Sequence, residues 1–118
     1  MKAVLVIFFG MMMFGQSNPN SKVIGIWDGK LVAGGQTLRF IVHVRNDEGK
    51  LSGAIESPDQ GPGEIAVDAI KFEDNKLTFS INGIGGSYEG TLKDGKLEGK
   101  WSQSGQSFDL NLKMRDKS

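Results

Sequence analysis

From Gly25 onward, apolar and polar residues alternate in short stretches broken by turn-forming residues every 8 to 14 positions. Period two is the signature of a half-buried strand, because successive side chains leave a pleated ribbon on opposite faces. The pattern predicts eight strands, at roughly 25–33, 37–45, 50–57, 64–72, 76–82, 86–93, 96–103 and 107–115. In the second, Leu38, Phe40, Val42 and Val44 form a dry face, while Arg39, Ile41, His43 and Arg45 form a wet one. The last repeats the arrangement with Phe108, Leu110, Leu112 and Met114 against Asp109, Asn111, Lys113 and Arg115. No stretch after residue 17 has sustained helical periodicity.

A finer pattern lies on the dry faces, where a bulky residue, a glycine and another bulky residue recur at every second position. Trp27-Gly29-Leu31, Leu51-Gly53-Ile55, Tyr88-Gly90-Leu92 and Leu97-Gly99-Trp101 all show it. An inward glycine contributes no packing and is tolerated where a sheet coils sharply or a neighbouring ring needs room. Asn46-Asp47-Glu48-Gly49, Glu73-Asp74-Asn75, Asp94-Gly95 and Ser104-Gly105 supply hairpin turns, which makes neighbouring strands antiparallel. The expected architecture is therefore all-β, a small eight-stranded antiparallel up-and-down barrel closed on itself. The fourth strand breaks the rhythm. Ile65, Val67 and Ala69 share one parity and Ile70 and Phe72 the other, which predicts a β-bulge between Asp68 and Ile70.

The first residues belong to a different class of segment. Lys2, an apolar run from Ala3 to Phe14 and the small residues Gly15 and Ser17 match a signal-peptide helix, cleaved after Ser17. The run falls short of the ~20 apolar residues that span a bilayer. The resulting division is a leader at 1–17, a linker at 18–24, the β-domain at 25–115 and a tail at 116–118. The expected location is secreted or periplasmic, with no membrane attachment once the leader is gone.

Charge and cysteine content narrow the function classes. The 14 basic side chains balance the 14 acidic ones, and losing Lys2 with the leader tips the balance by one toward acid. Such a surface has no footprint for nucleic acid or for anionic lipid. With no cysteine, stability rests on a core built from Trp27, Phe40, Phe72, Phe79, Tyr88, Trp101 and Phe108.

No complete catalytic set is visible, so no catalytic residue, metal ligand or cofactor is assigned. His43, the only histidine, falls on the wet face, where a solvent-facing role is expected. A triad would require Ser57 or Ser87 beside it with Asp59 or Asp68 behind the ring. As a metal ligand it lacks a second histidine or a cysteine. The carboxylate pairs Glu56/Asp59 and Glu64/Asp68 are candidates for acid–base work on a sugar, though acids on loops are usually solvated. Gly-Lys-Leu at Gly29, Gly49 and Gly95 lacks the helix and Ser/Thr of a phosphate loop, and reads as hairpin ends.

The least generic segment is Glu56-Ser57-Pro58-Asp59-Gln60-Gly61-Pro62-Gly63, a loop stiffened by two prolines and longer than a hairpin needs. It reads either as a recognition element at the barrel mouth or as a structural crossover. The candidate ligand-binding set is Trp27, Tyr88 and Trp101 as packing surfaces, with Ser57, Asp59, Gln60 and Glu89 as polar contacts. The expected ligand is a small molecule or a glycan. A core role for the tryptophans is the competing reading.

Trp27 to Leu31, Leu38-Arg39-Phe40, Ser57-Pro58-Asp59-Gln60-Gly61, Ile84-Gly85-Gly86-Ser87-Tyr88-Glu89-Gly90-Thr91-Leu92 and the ending around Trp101, Gln103 and Gly105 resemble a known domain. It is the small β-domain that precedes the catalytic domain in many exported bacterial α/β-hydrolases. The resemblance implies an accessory role or an exported hydrolase partner, since that family's nucleophile, acid and histidine sit in the downstream domain. The alternative it implies is a hydrolase-associated subunit acting on esters or peptides. Gly25-Ile26-Trp27 with Arg115 also resembles the lipocalins, whose first-strand Gly-x-Trp packs against an arginine from the end of the barrel.

Overall fold

The computed structural model describes residues 19–115, which form one antiparallel sheet of ten strands curled into a half-barrel. The predicted signal helix lies outside the described residues. The strands are β1 (Gly25–Ala33), β2 (Gln36–Asp47), β3 (Lys50–Glu56), β4 (Ile65–Ala66), β5 (Ala69–Glu73), β6 (Lys76–Ile81), β7 (Gly86–Lys93), β8 (Lys96–Gln103), β9 (Gln106–Asp109) and β10 (Leu112–Met114). Short 3₁₀ turns occupy Pro19–Lys22 and Asn82–Ile84. The spatial order is β4-β3-β2-β1-β10-β8-β7-β6-β5, with β9 also paired to β8.

Two-residue turns make five of the hairpins, and the Asn82–Ile84 turn with Gly85 makes the β6–β7 one. Gly34-Gly35, Glu48-Gly49, Asp74-Asn75, Asp94-Gly95 and Ser104-Gly105 each hold two consecutive positive φ angles, as at Asp94 (53°) and Gly95 (77°). That geometry matches the right-handed twist of the flanking strands.

The expected eight strands become ten because two of them are interrupted. The predicted fourth strand divides at Val67-Asp68. The Val67 N–H donates to Gly53 C=O on β3 at 2.9 Å, and the next N–H, of Asp68, donates to Ser80 C=O on β6 at 2.8 Å. Val67 and Ile70 both pack toward the core, three residues apart, with Asp68 and Ala69 outward, so the phase changes where the sequence predicts a bulge. The predicted eighth strand divides at Leu110-Asn111 into β9 and β10. There the Asn111 Oδ1 accepts the Gly99 N–H at 3.1 Å, in place of a backbone carbonyl. Leu110 and Leu112 both stay buried, so parity is undisturbed.

The dry faces converge as the alternation requires. Trp27, Val42, Leu77, Leu97 and Leu110 are fully buried, and no polar or charged residue is buried with them among the described residues. Val23, in the stretch before β1, is also fully buried, and its carbonyl accepts the Trp27 indole N–H at 2.9 Å. The inward glycines make room for rings. A Cβ at Gly86 would lie inside the indole of Trp101, and one at Gly90 would meet the phenol of Tyr88. The rings themselves interlock. Phe40 meets Trp101 edge-on at 5.3 Å and Phe79 stacks on Tyr88 at 5.3 Å, so the interior is filled by side chains.

The sheet is not evenly sealed. β1 pairs β10 through Trp27, Asp28 and Gly29 alone. Among the described residues no ladder joins the second half of β1, Lys30–Ala33, to β9. Val32, on the outer face of β1, is 62% exposed beside that open seam, while inward Leu31 stays buried.

Candidate functional site

Two neighbourhoods concentrate chemistry, and the proline loop between β3 and β4 touches both. The first is the mouth beside the open seam, between the β1–β2 and β8–β9 hairpins. A cleft of about 240 Å³ is lined there by Leu38, Phe40, Trp101, Phe108, Gln60 and Gln103, among others. Gln103 organises the floor. Its Oε1 accepts the Trp101 indole N–H at 3.0 Å and its Nε2 donates to Ile84 C=O at 3.2 Å. Of the rings lining it, Phe108 is partly exposed while Phe40 and Trp101 are buried beneath, so the opening offers one ring edge flanked by two glutamine amides.

The loop is internally tied and docked. Ser57 Oγ donates to Gln60 Oε1 at 2.8 Å, and the Gln60 N–H donates to Ser57 C=O at 2.8 Å. Asp59 accepts from Arg39 three times, from the backbone N–H at 2.8 Å, from Nε at 3.3 Å and from Nη2 at 3.0 Å. The Arg39 guanidinium, helped by that backbone N–H, holds the Asp59 carboxyl below the usual aspartate value.

The second neighbourhood lies on the outer face of β2 and β3. His43 points outward as parity predicts, yet its side chain is only 14% exposed, because the two ends of the loop fold over it. Its Nε2 lies 2.5 Å from Glu56 Oε2, at the end of β3, and 3.5 Å from Glu64 Oε2, the residue after the loop. Arg45, two residues along the same face, donates from Nη2 to both Glu64 oxygens at 3.0 and 3.4 Å. Beyond β2, Arg115 grips Asp28 with bonds of 2.9 and 2.6 Å. Arg115 is the main cause of a lowered Asp28 pKa, partly opposed by burial.

The candidate ligand-binding residues are divided among these places. Trp101, itself only 2% exposed, and Gln60 both line the mouth, with Ser57 and Asp59 in the loop above. Trp27 is sealed in the core. Tyr88 is 2% exposed, its hydroxyl has no hydrogen-bond partner among the described residues, and burial pushes its phenol well above the usual tyrosine value. Glu89 projects from the opposite face of the same strand into a broad outer groove of about 820 Å³ over β5–β8, paired to Lys76 at 3.0 Å. Arg115 engages Asp28 rather than the Trp27 ring.

The weighed catalytic pairings are not assembled. Ser57 bonds Gln60, and Ser87 stands in the cross-strand row Ser80-Ser87-Ser102-Ser107, so neither serine meets His43. Asp68 accepts the Asn82 N–H at 2.6 Å. Instead of Glu56/Asp59 and Glu64/Asp68, the carboxylates that converge are Glu56 and Glu64. The sequence signal for this was two glutamates bracketing a stiff loop, with Glu56 placed opposite Ile41, two residues from His43.

No protein-family model matches the chain, and no curated protein or solved structure matches it.

Proposed function

We propose that this is an exported, non-enzymatic binding module that takes a small or glycan-like ligand at the mouth beside the open seam. The observation carrying the reading is the partly exposed Phe108 ring, lying over the buried Phe40 and Trp101 and beside the side-chain amides of Gln60 and Gln103. Apolar ring faces bounded by a few fixed polar groups are what sugar and small-molecule sites use. The filled interior leaves no room for a ligand held deep inside, so the contact is shallow. The leader pattern at 1–17 supports export to the periplasm or medium.

The fold reading that accompanies this is a small lipocalin-like barrel, with β4–β5 and β9–β10 each counted as one bent strand. It is supported by the hydrogen bonds of Val67 and Asp68, which reach β3 on one side and β6 on the other.

Titration of the leader-free chain with a panel of oligosaccharides tests the function, read by tryptophan emission and amide NMR shifts. A binder shifts resonances of Gln60, Gln103 and Phe108, and Gln103→Ala weakens it by roughly twofold to tenfold, the worth of one hydrogen bond. Turnover of ester substrates that disappears in His43→Ala would overturn the non-enzymatic reading. Co-purification with an exported α/β-hydrolase, with no ligand response, would favour the partner role that the residue resemblance implies.

A further inference from the structure

We propose that His43, Glu56 and Glu64 form a binding site for a divalent first-row transition ion such as Zn²⁺, which fastens both ends of the proline loop to β2. The donor atoms, one imidazole nitrogen and one oxygen from each carboxylate, all lie within 4.8 Å of one another. They come from three separate places in the chain: the middle of β2, the last residue of β3 and the residue after the loop.

The three donors converge more closely than a single proton requires, although His43 already bonds Glu56 and Arg45 already holds Glu64. Both carboxylates address the same Nε2, at 2.5 and 3.5 Å, and a single ring N–H cannot point at both. A metal at the centre would replace the His43–Glu56 hydrogen bond and serve all three donors at once. With metal–ligand bonds of ~2.1 Å, tetrahedral geometry sets neighbouring donors ~3.4 Å apart. The His43–Glu64 separation of 3.5 Å already fits. Glu56 has to retreat by about 1 Å to meet that spacing, and it is a partly exposed side chain at a strand end.

The donor set also selects the ion. One imidazole with two carboxylates suits a borderline ion such as Zn²⁺, whereas Ca²⁺ and Mg²⁺ prefer oxygen alone. Arg45 shares Glu64 Oε2, so it competes for that oxygen, while its contact to Oε1 can orient the carboxylate from behind. Glu64 is 41% exposed, which leaves solvent access for a water in the fourth position.

The test uses the tag-free, leader-free chain, stripped with chelator and titrated with ZnCl₂ by calorimetry. One equivalent binds, and at a hundredfold excess over Kd the melting temperature rises by about 10–20 °C. Because His43 is the only histidine, its ring nitrogens give a single set of signals in a long-range ¹H–¹⁵N spectrum, and Zn²⁺ moves Nε2 selectively. Glu64→Gln and His43→Ala each weaken binding ~100-fold or more, since loss of a ligand exceeds the 10- to 100-fold typical of an outer-shell partner. Glu73→Gln, on another hairpin, leaves it unchanged. Absence of a stoichiometric heat, or Zn²⁺ binding with unmoved His43 ring signals, overturns the site. The spectrum of the unmutated chain decides the matter even where a variant fails to fold.

Discussion

Replacing Tyr88 by phenylalanine removes one oxygen from the core, and the expected result is a protein at least as stable as the original. The phenol is 2% exposed, its hydroxyl lacks a partner among the described residues, and its ring stacks on Phe79 at 5.3 Å. Burying a hydroxyl without a hydrogen bond costs ~1–3 kcal/mol in proteins. Phenylalanine keeps the stacking and leaves a gap smaller than a methyl group, whose cost is under ~1 kcal/mol. The balance is a gain of roughly 1 kcal/mol, or about 4–8 °C in melting temperature for a domain of this size.

The pH dependence gives a second, independent reading of the same group. Burial raises the folded-state pKa, so above the unfolded value of ~10 the folded chain holds a proton that the unfolded chain releases. Stability from this group is complete below that pH and falls by ~1.4 kcal/mol per pH unit above it. Tyr88 is the only tyrosine, so the tyrosinate absorbance band reports it alone. In the parent chain the band appears together with unfolding. The phenylalanine variant loses that slope. A variant destabilised by more than about 1 kcal/mol in urea, or a phenol that ionises near its ordinary value in the folded chain, would refute the reasoning.

Gly99→Ala should be far worse than an ordinary glycine substitution, because its Cβ would press on the Glu89 carbonyl and come within 2.5 Å of Gly90 Cα. Both are backbone on β7 and cannot rotate away, so denaturant melts should show a loss of ~1–3 kcal/mol or more. Gly83→Ala, which meets nothing within 4 Å, should be neutral or gain up to ~1 kcal/mol. The lowered pKa values of Asp59 and Asp28, held down by Arg39 and Arg115, predict an acid-sensitive limb. Their stability is present above the ordinary aspartate value of ~3.9 and is lost as the pH falls below it. In melts recorded between about pH 2 and 6, Asp59→Asn and Asp28→Asn should each flatten that limb, and an unchanged slope would remove those pairs from the explanation.

Much of the fold was legible because period-two alternation is a local property. Leu38, Phe40, Val42 and Val44 point inward as their spacing requires, and the phase slip around Asp68 marked the kink between β4 and β5. The break at Asn111 was invisible, since Leu110 and Leu112 keep parity across it and only a long-range bond from Gly99 reveals it. The same limit governs the candidate site. Parity put His43 on the outer face, but its covering depends on where the loop ends return. Tyr88 and Glu89 are neighbours in sequence, and the pleat that places one in the core sends the other into the outer groove.

The outer row of β2 explains why the loop has a definite position at all. Arg39, His43 and Arg45 are spaced along one face, and each takes an acid from the 56–64 segment: Asp59, then Glu56 with Glu64, then Glu64 again. Exposed ion pairs contribute little singly, typically ~0–1 kcal/mol. Their placement matters more than their sum. Three contacts along a rigid strand fix the loop at its middle and at both ends, while the two prolines limit its alternatives. Gln60 is thereby set at the mouth with its amide already tied to Ser57, beside Trp101 and Gln103. The polar wall of the cleft is thus positioned by charges on the opposite, solvent-facing side of the sheet, which joins the two neighbourhoods through a single loop.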